Sequence, residues 1–327
     1  MNFEIKTPSD ETRKLMSEIL MGKYENVDFE EKSVEKIKEI TNGEYCKITT
    51  SGNNSIFIAL SSVEGAVIIP DQGGWHGFKQ IANFLNKKII TLKTDLGLIN
   101  PKIMDDMDIP DKSALIFTSF AGYTAEQDVK SISQYCKNNG ITTIEDASAG
   151  IGDDKKLLGN CKNSDIILAS TGKPKMINVG IGGLLVTCNE SIIQNTKIPQ
   201  KLSKPNQIIC GGIYEETKTL KENLQVTLNA TNYLKKHISN TIHPKKRGVN
   251  VIINNKNPKE KIWKMKNELP INKSGFITKC PNYNRLKTKA ICIETKNLNK
   301  NNLKKEYLDK IIQTTNNLLQ DEISYQS

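Results

Sequence analysis

Residues 165–187, Asp-Ile-Ile-Leu-Ala-Ser-Thr-Gly-Lys-Pro-Lys-Met-Ile-Asn-Val-Gly-Ile-Gly-Gly-Leu-Leu-Val-Thr, contain two apolar runs separated by a glycine-rich loop. The runs Asp165–Ala169 and Gly183–Thr187 are short and bounded by turn residues, which is typical of strands buried in a sheet. The loop between them carries Lys173 and Lys175. We therefore expect two core strands with lysine side chains near their ends.

Similar apolar runs precede this stretch and alternate with segments of helical periodicity from about Tyr45 onward. This alternation predicts an α/β fold with a doubly wound, mostly parallel sheet. Such strands are covered on both faces, which explains their nearly continuous Val, Ile and Leu content. The upstream predicted strands are Val67–Ile69, Lys88–Leu92, Ala114–Thr118 and Thr142–Ile144, and the predicted helices are Ser55–Ser62, Phe78–Asn86 and Glu126–Asn138.

The pattern changes after about Pro199, and we place a hinge between Pro199 and Cys210. We predict a large domain over residues 1–205, including an N-terminal helical segment, and a smaller α+β domain over residues 206–327. The predicted elements of the smaller domain are a long helix Glu215–His237, strands Asn250–Asn254 and Lys289–Glu294, and a closing helix Lys304–Leu319.

The chain has 327 residues, of which 37% are hydrophobic and 25% charged. This composition supports a sizeable core, whereas the apolar runs are too short to span a bilayer. Residues 1–14 lack the apolar stretch of a signal peptide. We therefore expect a cytoplasmic protein that does not contact a membrane.

The net charge of +10 at pH 7 raises the question of an anionic partner. The lysines are spread along the whole chain, and no basic run is interleaved with aromatic residues. Only the segment His243–Arg247 is locally basic. We therefore favour a lysine-rich surface over a nucleic-acid site. The seven cysteines are scattered without a Cys-x-x-Cys pair, so we predict neither a disulfide framework nor a metal site.

Candidate site residues follow the predicted strands, and ligands of an open parallel sheet bind beyond the carboxyl ends of its strands. A turn of small residues that enters a helix suits a phosphate group, although it also serves as a simple helix cap. A carboxylate there needs a cationic partner, such as a protonated ring nitrogen, or caps its own turn. An imine-forming lysine must be partly desolvated. These residues are Ser51, Gly52, Asn53, Trp75, His76, Asp146, Ser170, Lys173 and Lys175.

In combination, these motifs resemble those of the DegT/DnrJ/EryC1/StrS aminotransferases, which are fold-type-I enzymes dependent on pyridoxal 5′-phosphate. In that family a serine lies five residues before the Schiff-base lysine, and glycines lie five, seven and eight residues after it. Lys175 fits all four spacings, whereas Lys173 does not. The matching motifs are Met16–Tyr24, Ser51-Gly52-Asn53-Asn54, Val67–Pro70, Gly122, Glu145-Asp146-Ala147, Gly152, Asp165 and Ser170–Gly183.

The resemblance assigns each candidate a role. It implies that Lys175 forms the Schiff base and later moves the proton at the substrate α-carbon, and that Asp146 pairs with the pyridinium nitrogen. Trp75 is our first choice for the aromatic residue that stacks on the ring, and His76 is the second. The residues implied to hold the phosphate are Ser51, Gly52, Asn53 and Ser170.

The resemblance also implies a reaction and an assembly. We expect a homodimer with shared active sites that moves an amino group from a donor such as glutamate to a keto acceptor. Arg285 is a candidate clamp for the substrate carboxylate. Alternatives on the same scaffold are elimination or replacement on an amino acid, free or carried by an RNA, and a non-catalytic regulatory protein. Ala149 motivates the last alternative, because many family members have Gln or His there.

Overall fold

The computed structural model describes residues 2–270 and 275–324 and contains two main β-sheets flanked by helices. The strands are β1 (Tyr45–Thr49), β2 (Val67–Pro70), β3 (Ile89–Leu92), β4 (Ala114–Thr118), β5 (Phe120–Ala121), β6 (Ala125–Glu126), β7 (Thr142–Asp146), β8 (Ile166–Ser170), β9 (Gly183–Thr187), β10 (Val251–Asn254), β11 (Ile277–Cys280) and β12 (Ala290–Ile293). The helices are α1 (Asp10–Leu20), α2 (Phe29–Thr41), α3 (Gly52–Ser61), α4 (His76–Phe84), α5 (Val129–Asn138), α6 (Glu190–Asn195), α7 (Lys197–Leu202), α8 (Gln207–Thr217), α9 (Leu220–His237), α10 (Pro258–Glu268) and α11 (Lys305–Ser324).

The large sheet has the strand order β1-β9-β8-β7-β4-β2-β3. Strands β8, β7, β4, β2 and β3 run parallel, and β9 pairs antiparallel with both β8 and β1. Apolar residues of α3 and α4 pack on one face, and those of α2 and α5 pack on the other. The prediction of a doubly wound, mostly parallel sheet is therefore confirmed.

Among the strands of the two main sheets, β1 and β11 were missing from the sequence prediction, as was the two-residue pair β5 and β6 outside them. Both β1 and β11 lie at the edge of a sheet and carry a lysine, Lys47 or Lys279, so neither forms a continuous apolar run. Edge strands of this kind are stabilised by pairing with a neighbour more than by their own pattern. The strands predicted in the middle of the large sheet agree closely with those of the structure.

The single long helix predicted over Glu215–His237 is wrong, because the chain forms two helices there, α8 and α9. Helix α8 begins earlier and contains two adjacent glycines, whose low helix propensity hides it from a periodicity search. The hydroxyl of Thr217, the last residue of α8, donates 2.6 Å to the carbonyl of Tyr214. Helix α8 packs on α1 and α2, whereas α9 continues toward the second sheet.

The small sheet has the order β10-β12-β11 and is antiparallel. Its core joins α9, α10 and α11 to the N-terminal segment, which contributes Phe3. The rings of Phe3 and Phe276 stack with centroids 5.3 Å apart, and Ile5 forms an antiparallel bridge with Leu298. The division of the chain after residue 205 stays a prediction. Within the described residues, no helix is long and apolar enough to cross a lipid bilayer.

Candidate active site

A cavity of about 210 Å³ lies at the carboxyl ends of β7 and β8. Strand β7 ends at Asp146, and β8 ends at Ser170. The loop after β8 places Lys175 on the cavity wall. Eight of the nine predicted site residues therefore line one cavity, namely Ser51, Gly52, Asn53, Trp75, Asp146, Ser170, Lys173 and Lys175.

One wall of the cavity is the N-terminus of α3. The Oγ of Ser51 accepts a hydrogen bond of 3.1 Å from the backbone N–H of Asn54, which caps the helix. A Cβ on Gly52 would lie 2.6 Å from the Cβ of Ser170, so only glycine allows this approach. The first backbone N–H groups of α3 and the positive end of its dipole thus face an anion site beside Ser170.

Asp146 is buried, with 9% of its surface exposed, and its carboxylate is held on one side. Its Oδ1 accepts hydrogen bonds from the backbone N–H (3.0 Å) and the hydroxyl (2.5 Å) of Ser148. The same hydroxyl accepts 2.8 Å from the backbone N–H of Ser170. No hydrogen bond from a described residue reaches Oδ2, which leaves that oxygen for a ligand. The Asp-Ala-Ser turn in the sequence could have pointed to Ser148.

Trp75 and His76 take different positions. The indole Nε1 of Trp75 donates 3.0 Å to Oδ1 of Asn53, which holds the ring on the cavity wall. His76 is exposed and does not line the cavity. Its side chain is turned toward Asn284, with Nδ1 3.0 Å from Oδ1 of that residue. Trp75 is therefore better placed than His76 to cover a flat ring.

Lys175 is half-buried, and its Nζ lies 3.3 Å from the hydroxyl oxygen of Tyr123. Burial by itself lowers the pKa of Lys175, but Tyr123 and Asp146 outweigh burial and raise it. Burial by itself raises the pKa of Tyr123, but Lys175 and Lys296 outweigh burial and lower it. Both shifts favour a charged pair.

Tyr123 was not identified from the sequence, although it follows β4 at the same edge of the sheet. The loop that carries it approaches the small domain closely, because a Cβ on Gly122 would lie 2.8 Å from the carbonyl oxygen of Arg285. The sequence feature that could have identified Tyr123 is a glycine followed by an aromatic residue just after a buried strand.

Arg285, predicted as a carboxylate clamp, is bound to a carboxylate of the chain itself. Its Nε and Nη2 donate 2.8 Å each to the two oxygens of the buried Glu294. Lys296 adds a contact of 3.2 Å to the same carboxylate. Burial raises the pKa of Glu294, but Lys296 and Arg285 outweigh it and lower the pKa to about 2. The guanidinium carbon of Arg285 lies 4.6 Å from the ring centroid of Tyr123.

The other residues singled out in the sequence differ in position. Lys173 also borders the cavity but is exposed, and Ala149 is buried in the core. In the basic segment His243–Arg247, Arg247 forms ion pairs with Glu126 and Asp153. Among the residues that the structure describes, no group of three or more His, Cys, Asp or Glu side chains could hold a metal ion.

The fold has counterparts among solved structures. Helicobacter pylori PseC, described as an aminotransferase involved in the biosynthesis of pseudoaminic acid, is 13% identical with a TM-score of 0.77, over 98% of this chain and 100% of that chain. Sphingomonas wittichii serine palmitoyltransferase is 10% identical (TM-score 0.74; 95% and 84% covered). Bacillus subtilis NtdA with bound cofactor PMP is 14% identical (TM-score 0.72; 95% and 83% covered). At these identities the likeness concerns the fold. No curated protein matches the sequence.

The fold is that of the fold-type-I pyridoxal-phosphate-dependent transferases. The model of the DegT/DnrJ/EryC1/StrS aminotransferase family matches residues 9–208. The chain belongs to this family, as its motifs had suggested. A second family model, the MJ1341 family C-terminal domain, matches residues 221–316.

Pyridoxal 5′-phosphate is the cofactor of this chain, as predicted, and the cavity fits it. The helix terminus at Gly52 suits the phosphate, and the open Oδ2 of Asp146 suits a protonated ring nitrogen. Lys175 supplies the only lysine amine that is both half-buried and on the cavity wall among the described residues, since Lys173 is exposed.

Proposed function

We propose that this protein transfers an amino group from an amino acid to a keto acceptor and that Lys175 is its catalytic lysine. The observation that carries the proposal is the convergence of Lys175, Asp146 and the N-terminus of α3 on one cavity. When bound there, the cofactor supplies an electron sink for the bond to the substrate α-carbon. The chain supplies the binding, the orientation and the proton transfer.

The cofactor would be held at three points. The backbone N–H groups at Gly52 and Asn53, with the hydroxyls of Ser51 and Ser170, would bind the phosphate. The Oδ2 of Asp146 would accept the proton of the ring nitrogen, and Ser148 fixes the carboxylate for that contact. Trp75 would cover one face of the ring. His76 then has a structural role through its contact with Asn284.

Lys175 would hold the cofactor before the substrate arrives and then move a proton at the substrate α-carbon. The hydroxyl of Tyr123, 3.3 Å from Nζ, is placed to fix the amine during this step. Tyr123 therefore offers a polar partner to the amine of Lys175, whereas the methyl side chain of Ala149 offers no polar group to the site. This contact supports a catalytic role despite Ala149.

We also propose a homodimer whose two active sites each use residues of both subunits, as the family resemblance implies. A cytoplasmic location stays a prediction. Neither statement is needed for the chemistry assigned to Lys175.

The proposal is tested by reductive trapping. Borohydride treatment of the purified protein with its cofactor should attach the cofactor to the peptide that contains Lys175, as mass spectrometry would show. The Lys175→Ala variant should lose the trapped product, whereas Lys173→Ala, two residues away and exposed, should retain it. Trapping that persists in Lys175→Ala and disappears in Lys173→Ala would contradict the assignment.

The reaction is tested by half-reactions with single amino donors. Accumulation of pyridoxamine phosphate and the matching keto acid supports amino transfer. A keto acid formed together with a released side chain would instead indicate elimination. A protein that neither absorbs in the visible region nor traps the cofactor would indicate a non-catalytic binding or regulatory protein.

A further inference from the structure

A second cavity, of about 370 Å³, is lined by the N-terminal segment, α1, α8, α9 and the segment that follows β12. It shares no lining residue with the cavity at Lys175. Part of its lining is apolar, since Val226, Leu298 and Leu303 border it. The polar part determines which ligand the cavity suits.

Asn178 lines this cavity and is only 2% exposed. Neither the oxygen nor the nitrogen of its side-chain amide has a hydrogen-bond partner among the described residues. Buried amides in folded proteins are paired as a rule. Because an amide both donates and accepts, a ligand that satisfies Asn178 must carry an acceptor and a donor in either orientation of the amide.

Lys6 also lines the cavity, and its ammonium lacks an oxygen partner. The closest polar atom to its Nζ is Sδ of Met176 at 4.0 Å, and no carboxylate of the described residues forms an ion pair with it. Burial is the main reason that the pKa of Lys6 falls to about 7. Repulsion by Lys296 and, more weakly, by Lys175 adds to the fall, and attraction by Glu216 opposes it. An ammonium in this position favours an anion in the cavity.

The buried carboxylate of the cavity, Glu216, already has partners of its own. Its Oε1 accepts hydrogen bonds from the backbone N–H of Ser9 (2.9 Å) and from the hydroxyl of Thr12 (2.8 Å). Its Oε2 accepts 3.3 Å from the backbone N–H of Asn178. Glu216 therefore joins the N-terminal segment to the loop of Asn178 and does not stand in for an anion at Lys6.

The exposed charges that line the cavity are paired with one another or with neighbours. Asp10 forms an ion pair with Arg13, one turn along α1. Lys300 forms an ion pair with Glu222 of α9. Among the described residues of the lining, Lys6 is thus the cation without a carboxylate partner, and Asn178 supplies further hydrogen-bonding capacity.

We propose that this cavity binds a small carboxylic acid with a donor next to its carboxylate, namely a 2-hydroxy or 2-amino acid with an apolar side chain. The carboxylate would pair with Lys6 and accept a hydrogen bond from Nδ2 of Asn178, whose Oδ1 would accept from the hydroxyl or amine. The apolar side chain would contact Val226, Leu298 and Leu303. The proposal goes beyond the amino transfer assigned to Lys175 and does not depend on it, because the two cavities have different linings.

The test uses three probes that differ by one group, titrated calorimetrically into the cofactor-loaded protein at pH 6.5. They are 2-hydroxy-4-methylpentanoate, 4-methylpentanoate, which lacks the hydroxyl, and 2-hydroxy-4-methylpentanamide, which lacks the charge. The hydroxy acid has no amine and therefore cannot form an imine with the cofactor. We expect it to bind at least about tenfold more tightly than either of the other probes, the difference typical of one charge-assisted hydrogen bond.

Two variants locate the binding site. Lys6→Met and Asn178→Leu should each weaken binding of the hydroxy acid by about tenfold or more, whereas the exposed Lys14→Met, with the same change of charge as Lys6→Met, should not. Asn178→Leu removes an amide without partners and keeps the side-chain volume, so it should not lower the thermal stability of the ligand-free protein.

Reductive trapping at Lys175 should persist in both variants. A failure of the proposed amino transfer would abolish trapping in the unmodified protein as well and is thereby recognised separately. Absence of binding by the hydroxy acid would show that the cavity holds water alone and would overturn the proposal. Binding that either variant leaves unchanged, or that does not require both the hydroxyl and the carboxylate of the probe, would also overturn it.

Discussion

The hydroxyl oxygen of Tyr123 lies 3.3 Å from Nζ of Lys175, and the two residues come from loops after different strands of the sheet. Lys296 and Arg285 from the small domain lie against the ring of Tyr123, each 4.6 Å from its centroid. The tyrosine therefore links the small domain to Lys175, the proposed catalytic lysine. This link suggests the first of five predictions.

Replacing Tyr123 by Phe should lower kcat by roughly tenfold or more, because the amine loses a hydrogen bond that favours its charged form. The pKa of Lys175 in the protein without cofactor should fall, since Tyr123 raises it. Steady-state kinetics and a pH titration would measure both effects. Tyr135→Phe removes a comparable hydrogen bond, to Asp105, outside the cavity and should leave kcat unchanged. A normal kcat in Tyr123→Phe would show that the contact does not assist catalysis.

Replacing Ser148 by Ala should weaken cofactor binding and lower activity by roughly tenfold, because Asp146 loses a charge-assisted hydrogen bond. Replacing Asp146 by Asn should cost about a hundredfold or more in kcat. The chain offers a matched control in Ser131 at the start of α5. Its backbone N–H and its hydroxyl also donate hydrogen bonds to a carboxylate, that of Asp128. Ser131→Ala should change helix stability alone, and a similar loss of activity in it would argue against a local effect at Asp146.

Replacing Gly52 by Ala should destabilise the protein by about 1–3 kcal/mol and reduce its affinity for the cofactor. The new Cβ would lie 2.6 Å from Cβ and 3.0 Å from Cα of Ser170. Adding Ser170→Gly should restore part of the stability but not the cofactor affinity, because the serine hydroxyl is lost. Thermal unfolding with and without cofactor would separate the two effects. Gly140→Ala, where a Cβ meets nothing within 4 Å but φ is +65°, should cost stability through backbone strain and leave the cofactor affinity unchanged.

Replacing Lys235 by Met should destabilise the protein by about 3 kcal/mol. The buried ammonium donates hydrogen bonds to the carbonyls of Thr124 (2.5 Å), His243 (3.0 Å) and Lys246 (2.9 Å), which would lose their donor. Since Thr124 follows Tyr123, activity should fall as well. Chemical denaturation would measure the stability, with the exposed Lys236→Met as the neighbouring control. Equal stability of the two variants would contradict this account.

Replacing Lys6 by Met should stabilise the protein more at pH 6 than at pH 9.5. Burial lowers the pKa of Lys6 from 10.5 to about 7, so the folded protein binds fewer protons than the unfolded chain between these values. Stability therefore rises with pH in that window, and the cost of the buried charge is fully present below pH 7. Denaturation midpoints at the two pH values, compared with Lys14→Met, would measure the difference. A stabilisation independent of pH would rule out the charge as its cause.

The sequence predicted the parts of the site that follow strongly apolar strands. Asp146 and Lys175 lie within or next to such strands, and their spacing to serine and glycine residues needed no three-dimensional information. Lys296 could not be found in this way, because it comes to lie against Tyr123 through the pairing of segments far apart in sequence. A chain rich in lysine offers no local signal that separates a buried lysine from many exposed ones.

Arg285 shows a different limit. Its residue type and its place before a small-domain strand are consistent with a carboxylate clamp, but the carboxylate it meets is Glu294 of the same chain. Glu294 is the last residue of the predicted strand Lys289–Glu294. No pattern in the sequence indicates that its side chain turns toward Arg285. Partners of buried charges depend on tertiary packing.

The pairing of the N-terminal segment with the small sheet has a consequence for the order of folding. Phe3 stacks on Phe276, and the backbone N–H of Asn299 donates 2.9 Å to the carbonyl of Glu4. During translation, residues near the start of the chain leave the ribosome long before those partners have been synthesised. The N-terminal segment must therefore wait for these later partners, and Lys6 reaches its final place only after Asn297 has been synthesised.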